Sequence, residues 1–266
     1  MSVVLITGCS SGFGRAAALA FGDAGHTVVA TMRSPKRDGL DGGSSNITVE
    51  ALDVTDRADR TRAVQRTIDR HGGVDILVNN AGSIVLGPTN EIPEAVAREQ
   101  FETNFWGAYG LIREVLPTMI ANGHGRIVNV TSIGALLTLG FFTLYCATKH
   151  ALDALTLGLD IELQPFGIRA VSVVPGGYAT NLAANRVRTD RPDSRYPQAQ
   201  AVIRAWEQRI ASVPDVSPVT NAILEAATAD RPAPRYLVGE GIAQLAGPLI
   251  EEGERIHEAL RARAAR

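Results

Sequence analysis

With 266 residues, 45% of them hydrophobic and 20% charged, the chain has the material for a large core and the balance of a soluble globular protein. A formal net charge of -2 gives no general attraction to nucleic acid, and no apolar run reaches the roughly 18 residues of a membrane span. Its two cysteines, Cys9 and Cys146, exclude a disulfide framework and a cysteine-based zinc site. The five histidines are scattered without ligand spacing, so no metal is expected. The first residues lack the basic start of a signal peptide, which makes a cytoplasmic location the default expectation.

Strand and helix patterns then alternate. A short β-branched run at 3–7 ends in glycines and leads into a helix over 14–24. Strands follow at 27–31 and 47–52. An amphipathic helix spans 57–71, and a fourth strand 75–79. A long helix is expected over 98–121, a fifth strand at 126–130, and a helix over 145–164 that Pro165 and Gly167 stop. Further strands are read at 170–174 and 236–238. The strands are almost continuously apolar, so both faces should be covered, as in a parallel sheet. The expectation is an α/β fold of one domain over 1–266, a doubly wound Rossmann-type parallel sheet of about seven strands with helices on both faces. A polar, arginine- and proline-rich stretch at 183–214 is too long for an ordinary connection and is expected to be a substrate lid. Its helical part is placed at 201–211, with Val202, Ala205, Trp206 and Arg209 on one face.

Two constellations carry chemistry. Thr7-Gly8-Cys9-Ser10-Ser11-Gly12-Phe13-Gly14 follows a strand and opens a helix. Gly8 allows a tight turn, Gly12 lets the backbone approach a pyrophosphate, and Gly14 permits close packing of helix on strand. The helix N-terminus adds unpaired N–H groups and a partial positive charge. At the end of the second strand stands Met32, which cannot accept ribose hydrogen bonds. Arg33 follows it and suits a 2′-phosphate, with Ser11 adding a hydroxyl, so NADP is favoured and NAD remains the alternative. The second constellation is Tyr145 and Lys149, four apart and so on one helix face. A phenol is a poor acid near neutrality, and a neighbouring ammonium lowers its pKa, so the pair suits acid/base work. Lysine is rare in this chain (Lys36 and Lys149 only).

The spacing of the glycines, together with Asn79-Asn80-Ala81-Gly82, Asn104, Ser132, Tyr145, Lys149 and Pro175-Gly176 followed by Thr180, resembles the short-chain dehydrogenase/reductase family from Val3 to about Thr180. The resemblance implies an oxidoreductase that interconverts a ketone or aldehyde and an alcohol by hydride transfer. It makes Asn104, Ser132, Tyr145 and Lys149 a catalytic tetrad. It places Asp53 and Val54 at the adenine, Asn80, Ala81 and Gly82 at a strand-end motif, and Pro175, Gly176 and Thr180 beside the nicotinamide. It also makes 134–142 and 83–87 pocket walls, with Leu137 and Tyr178 facing substrate and Leu182 nearby. That lining is mostly apolar, which suits a lipophilic substrate. Arg186, Arg188, Arg191 and Arg195 in the lid read as solvated charges. A homodimer or homotetramer follows by resemblance, paired through the helices over 98–121 and 145–164. Loss of the tyrosine or lysine would favour a nucleotide-sensing regulator on the same fold; both are present.

Overall fold

The computed structural model describes residues 1–35, 40, 46–180, 187–188 and 194–264. Seven strands form one parallel sheet: β1 (Val3–Ile6), β2 (Thr27–Met32), β3 (Ile47–Ala51), β4 (Ile76–Asn79), β6 (Gly125–Val130), β7 (Ile168–Pro175) and β9 (Arg235–Val238). Their order is β3-β2-β1-β4-β6-β7-β9, with every pairing parallel. Two short strands, β5 (Val85–Leu86) and β8 (Val187–Arg188), pair separately. The helices are α1 (Gly12–Asp23), α2 (Arg57–His71), α3 (Glu94–Phe101), α4 (Gly107–Asn122), α5 (Thr143–Glu162), α6 (Ala199–Ala211), α7 (Ser217–Thr228) and α8 (Ile242–Ala264). Among the described residues no helix is long and apolar enough to cross a membrane.

The doubly wound expectation is met, and the burial explains it. Val4, Ile6, Val28, Ala30, Val78, Val128 and Val171 point to one face, where Phe21 of α1 and Val219 and Ile223 of α7 cover them. Leu5, Val29, Leu77, Ile127 and Ala170 point to the other, under Ala63 and Val64 of α2, Leu111 and Val115 of α4 and Leu159 of α5. Alternate residues of each strand thus enter two cores, which is why the strands read as unbroken apolar runs. Each fully buried large aliphatic contributes about 1.5–3 kcal/mol. Asp56 starts α2 by accepting from the Asp59 amide at 3.0 Å.

One level of the sheet is polar. Asn79, Asn129, Ser172 and Arg235 are register partners across β4, β6, β7 and β9. Asn79 donates to Asn129 at 2.9 Å, and Asn129 donates to the Thr156 hydroxyl at 2.8 Å. Ser172 donates to Asp153 at 2.7 Å, and Arg235 donates to the same carboxylate at 2.7 Å. Thr156 and Asp153 both belong to α5, so this row fixes that helix over the sheet. Lower on α5, Asp160 accepts from Arg169 at 2.7 Å and pairs with His257 and Arg261 of α8 at 3.0 and 3.1 Å. Burial pushes the Asp160 carboxyl up, but the bonds from His257 and Arg169 and the nearby charges outweigh it and hold the carboxyl below its ordinary value.

The long helix begins earlier than expected. It runs from Glu94 through a π-helical turn at Glu102–Trp106 into α4. The extra residue of that turn places Asn104 toward α5 and the loop after β4.

Candidate active site

The carboxyl ends of β1, β2, β3, β4, β6 and β7 open into one cleft of about 610 Å³. Its cofactor-side wall is mostly main chain. Gly8 has φ +73°, and a Cβ there would lie 2.9 Å from the Ala81 Cα. A Cβ on Gly14 would lie 2.4 Å from Asn80 Nδ2 and 2.5 Å from the Gly8 carbonyl oxygen. The Thr7 hydroxyl accepts from the amides of Asn80 and Ala81, both at 3.0 Å, and Asn80 Nδ2 donates back to the Thr7 carbonyl at 2.8 Å. The β1 and β4 ends are thereby knotted together. At Ser11 no side chain caps α1, so its first-turn amides are available to an anion. Ser10, Ser11, Gly12, Phe13, Arg33, Asp53, Val54, Asn80, Ala81, Gly82, Pro175, Gly176 and Thr180 all border the cleft. Arg33 is exposed and makes no ion pair among the described residues. Asp53 spends one oxygen on the amide and hydroxyl of Thr55, at 2.9 and 2.7 Å.

The acid/base groups stand at the centre. Ser132 follows β6 and accepts from the Gly134 amide at 3.0 Å. Tyr145 is in the first turn of α5, and Lys149 one turn on donates to the Val130 carbonyl at 2.9 Å. Asn104 donates to the Ser83 carbonyl at 2.9 Å and to the Thr148 hydroxyl at 3.0 Å, and accepts from the Ser83 amide at 2.7 Å. A Cβ on Gly82 would be 3.4 Å from Asn104 Oδ1 and 3.8 Å from Lys149 Nζ, which shows how closely these groups converge. Burial pushes the Tyr145 hydroxyl up to about 12, with a Ser132 hydrogen bond pulling the other way. Burial likewise pushes the Lys149 ammonium down to about 8. The expected lowering of the tyrosine pKa by the lysine is therefore not found. Lys149 lies 5.8 Å from the Tyr145 ring centroid and is turned to Val130, so burial governs both groups.

The far wall is apolar side chain. Ile84, Val85, Val96, Ile133, Leu139 and Phe142 line it, closed by Trp206 of α6. Phe142 meets Trp206 edge-on with centroids 5.1 Å apart, and Tyr178 meets Phe13 edge-on at 5.6 Å. Just behind this wall, Phe141 is the one non-glycine residue with positive φ (68°) among the described residues. Such a backbone costs about 1–2 kcal/mol for an L-residue.

The sequence profile described as short chain dehydrogenase matches residues 2–191. The chain belongs to that family. It is accordingly an NAD(P)-dependent oxidoreductase of the carbonyl/alcohol type. A short-chain dehydrogenase from Streptomyces avermitilis superposes with a TM-score of 0.86 at 32% identity, covering 99% of this chain and 97% of the other. ElxO with NADP bound gives 0.77 at 27% identity, covering 92% and 100%. A 3-ketoacyl-(acyl-carrier-protein) reductase from Brucella melitensis complexed with NADH gives 0.78 at 26% identity, covering 91% and 98%.

In this short-chain dehydrogenase the structure brings Ser132, Tyr145 and Lys149 onto one cleft with the glycine turn, and sets Asn104 directly behind them. Tyr178 reaches the cleft, but Leu137 does not border it; its carbonyl faces Cys146 Sγ at 3.8 Å instead. Leu139 and Phe142 take the place foreseen for it, because the turn after Leu139 redirects the chain. On α6 the inward stripe is Ala199, Ile203, Trp206 and Ile210, so only Trp206 of the expected face points in. Leu182, Arg186, Arg191 and the side chain of Arg188 lie outside the described residues, as does part of the expected lid; Arg195 is exposed. Sequence reasoning assigned no role to Thr7, whose only signal was its place before the glycines. It also assigned none to Val96, Gln100 and Thr103, whose spacing of four and three marks one helix face on the cleft.

Proposed function

We propose that the protein is an NADP(H)-dependent oxidoreductase that interconverts a lipophilic ketone or aldehyde and its alcohol, with Tyr145 as the acid/base group. The observation that carries this reading is the convergence of Ser132, Tyr145 and Lys149 on a cleft that joins an uncapped glycine turn to an apolar wall. The residues fit a dinucleotide: no side chain caps the first turn of α1, and the glycine turn and the Asn80–Gly82 strand end border the cleft beside it. Ser10, Ser11, Gly12 and Phe13 would hold its pyrophosphate, Asp53 and Val54 its adenine, and Asn80, Ala81, Gly82, Pro175, Gly176 and Thr180 its nicotinamide side. When bound, the nicotinamide supplies or accepts the hydride. Tyr145 is a phenol and so is neutral at pH 7, and burial keeps it so; it carries the proton that a carbonyl oxygen needs on reduction. In the reverse direction its phenolate form takes the alcohol proton, a step that higher pH favours. Ser132, beside Tyr145 on the cleft, orients the substrate oxygen. Lys149 would hold the cofactor ribose, and Asn104 braces the loop at Ser83.

NADP and NADH each occur in the related structures, so the preference rests on Met32 and Arg33. Met32 offers no carboxylate for ribose hydroxyls, and Arg33, exposed and without an ion pair among the described residues, brings a guanidinium to the same corner. The test is loss of nicotinamide absorbance on mixing purified protein with a panel of ketones and either cofactor. Turnover of lipophilic ketones with NADPH preferred is the expected result. Tight NADPH binding without turnover of any carbonyl would favour a sensing role. A second copy of the chain is the proposed partner, seated on α4 and α5. Phe105, Trp106 and Tyr109 form an aromatic cluster at the start of α4, and Trp106 is 47% exposed. Light scattering at micromolar protein should give a dimer or tetramer mass; a monomer mass would refute the pairing.

A further inference from the structure

We propose that Phe141 is a positioning residue for substrate selectivity: its left-handed backbone turns Phe142 into the cleft while its ring holds the 194–211 segment through Tyr196. The Phe142 amide donates to the Leu139 carbonyl at 3.2 Å, which makes 139–142 a turn. A turn with positive φ at its third residue calls for glycine there. This turn carries Gly140 one position too early, in open space, and Phe141 at the demanding position with φ 68°. An aromatic residue stays in that region only when its surroundings hold it. Two contacts do so. The Phe141 carbonyl accepts from the Gly87 amide at 3.0 Å, just past β5, and its ring meets Tyr196 edge-on with centroids 6.3 Å apart.

The next residue goes the other way. Phe142 is buried against Trp206 and borders the cleft, and its carbonyl accepts from the Cys146 amide at 2.8 Å to open α5. Two consecutive rings therefore grip the covering segment at two places, Tyr196 ahead of α6 and Trp206 within it. Ser194, which donates to Glu91 at 2.9 Å, adds a third hold. Phe141 itself does not border the cleft, so its effect on substrate passes through Phe142 and Trp206. A ketone large enough to lie on that aromatic wall feels the turn at Phe141. A small ketone that reaches only Ser132 and Tyr145 does not. The selectivity arm rests on the carbonyl-reductase reading of the same cleft; the tryptophan arm below does not.

The experiment uses the full chain with Trp106→Phe, which leaves Trp206 as the only tryptophan. Phe141→Gly relieves the backbone and removes the ring; Tyr196→Ala removes the opposing ring and leaves the turn intact. Each should make Trp206 at least about twofold more quenchable by acrylamide, and the double variant no more so than either alone, since the two rings form one contact. With NADPH, the KM for benzylacetone should rise up to about tenfold, the upper worth of one edge-to-face aromatic pair, with kcat retained. The kcat/KM for butanone should stay within about twofold, and Phe141→Gly should unfold no earlier than its parent. Unchanged quenching in both single variants would overturn the proposal, as would equal losses for both ketones. If the parent turns over neither ketone, the reductase reading fails and the quenching result alone decides the role of Phe141.

Discussion

The two walls of the cleft are built by opposite means. On the cofactor side, backbone meets backbone: Gly8 against Ala81, Gly14 against Asn80 and Gly8, and Thr7 stitching β1 to β4. On the substrate side, rings meet rings across a turn held in an unfavourable conformation. A main-chain wall has one shape that hardly any side-chain change can vary, which suits a ligand that never changes. A wall of aromatic side chains holds through contacts worth about 0.5–1.5 kcal/mol each, so its shape can be altered one residue at a time. The same fold thus offers a fixed half and an adjustable half.

Tyr145 stands where the walls meet, and changing it should have the largest effect. Tyr145→Phe removes one hydroxyl and little volume, so turnover should fall by about 10²-fold or more while titration shows dinucleotide binding unchanged. Near-normal turnover would break the assignment. Lys149 comes next and can be read without any substrate. Burial lowers its pKa from 10.5 to about 8, so the unfolded chain binds that proton more tightly than the folded one. The buried charge costs stability in full below about pH 8, and the cost is relieved as pH rises toward 10.5. Between pH 7 and 10.5 the wild type should therefore gain about 3 kcal/mol relative to Lys149→Met in denaturant unfolding. A difference that ignores pH would mean the lysine is not desolvated. Tyr145, raised from 10 to about 12, acts in the opposite sense, withdrawing stability between those values in both proteins.

The fixed wall is tested at Gly14. Gly14→Ala drives a carbon into Asn80 and the Gly8 carbonyl and should lower stability by about 1–3 kcal/mol, with dinucleotide affinity falling too. A tolerated alanine there would show that this wall adjusts after all. The narrowest effect, confined to one cofactor, is expected at Arg33, a side chain on an otherwise main-chain surface. Arg33→Ala should weaken NADPH binding by about 1–3 kcal/mol in calorimetry and leave NADH nearly unchanged. Equal losses for both cofactors would show that Arg33 does not read the 2′-phosphate.

The same division decided what could be read from the sequence. The glycine turn is legible because close backbone approach demands glycine, and α2 is legible at Arg57–His71 because its charged, amphipathic pattern is periodic; the structure adds the Asp56 cap. Tyr145 and Lys149 share a face because helical spacing requires it. The substrate wall was harder. The run at 134–142 is apolar throughout and has no period, so nothing in it distinguishes Leu137 from Phe142; the positive φ at Phe141 does. On α6, Ile203 and Ile210 are seven apart and outweigh Val202 and Ala205 in setting the buried stripe. The β5 and β8 pair has two residues in each strand, too short for alternation to show. The tyrosine pKa went the other way because spacing reports a neighbour's charge but not how much water both groups have lost.

The polar row at Asn79, Asn129, Ser172 and Arg235 bears on how the chain avoids misassembly. Strands that are apolar on both faces have little in their pattern to forbid sliding past one another. At this level, sliding β6 or β7 by two residues would part Asn129 from Thr156 or Ser172 from Asp153 and leave buried polar groups without partners. Each such group costs about 1–3 kcal/mol. The row therefore works as a key, admitting one alignment of four neighbouring strands, and it does so on the face that carries the helix bearing Tyr145 and Lys149.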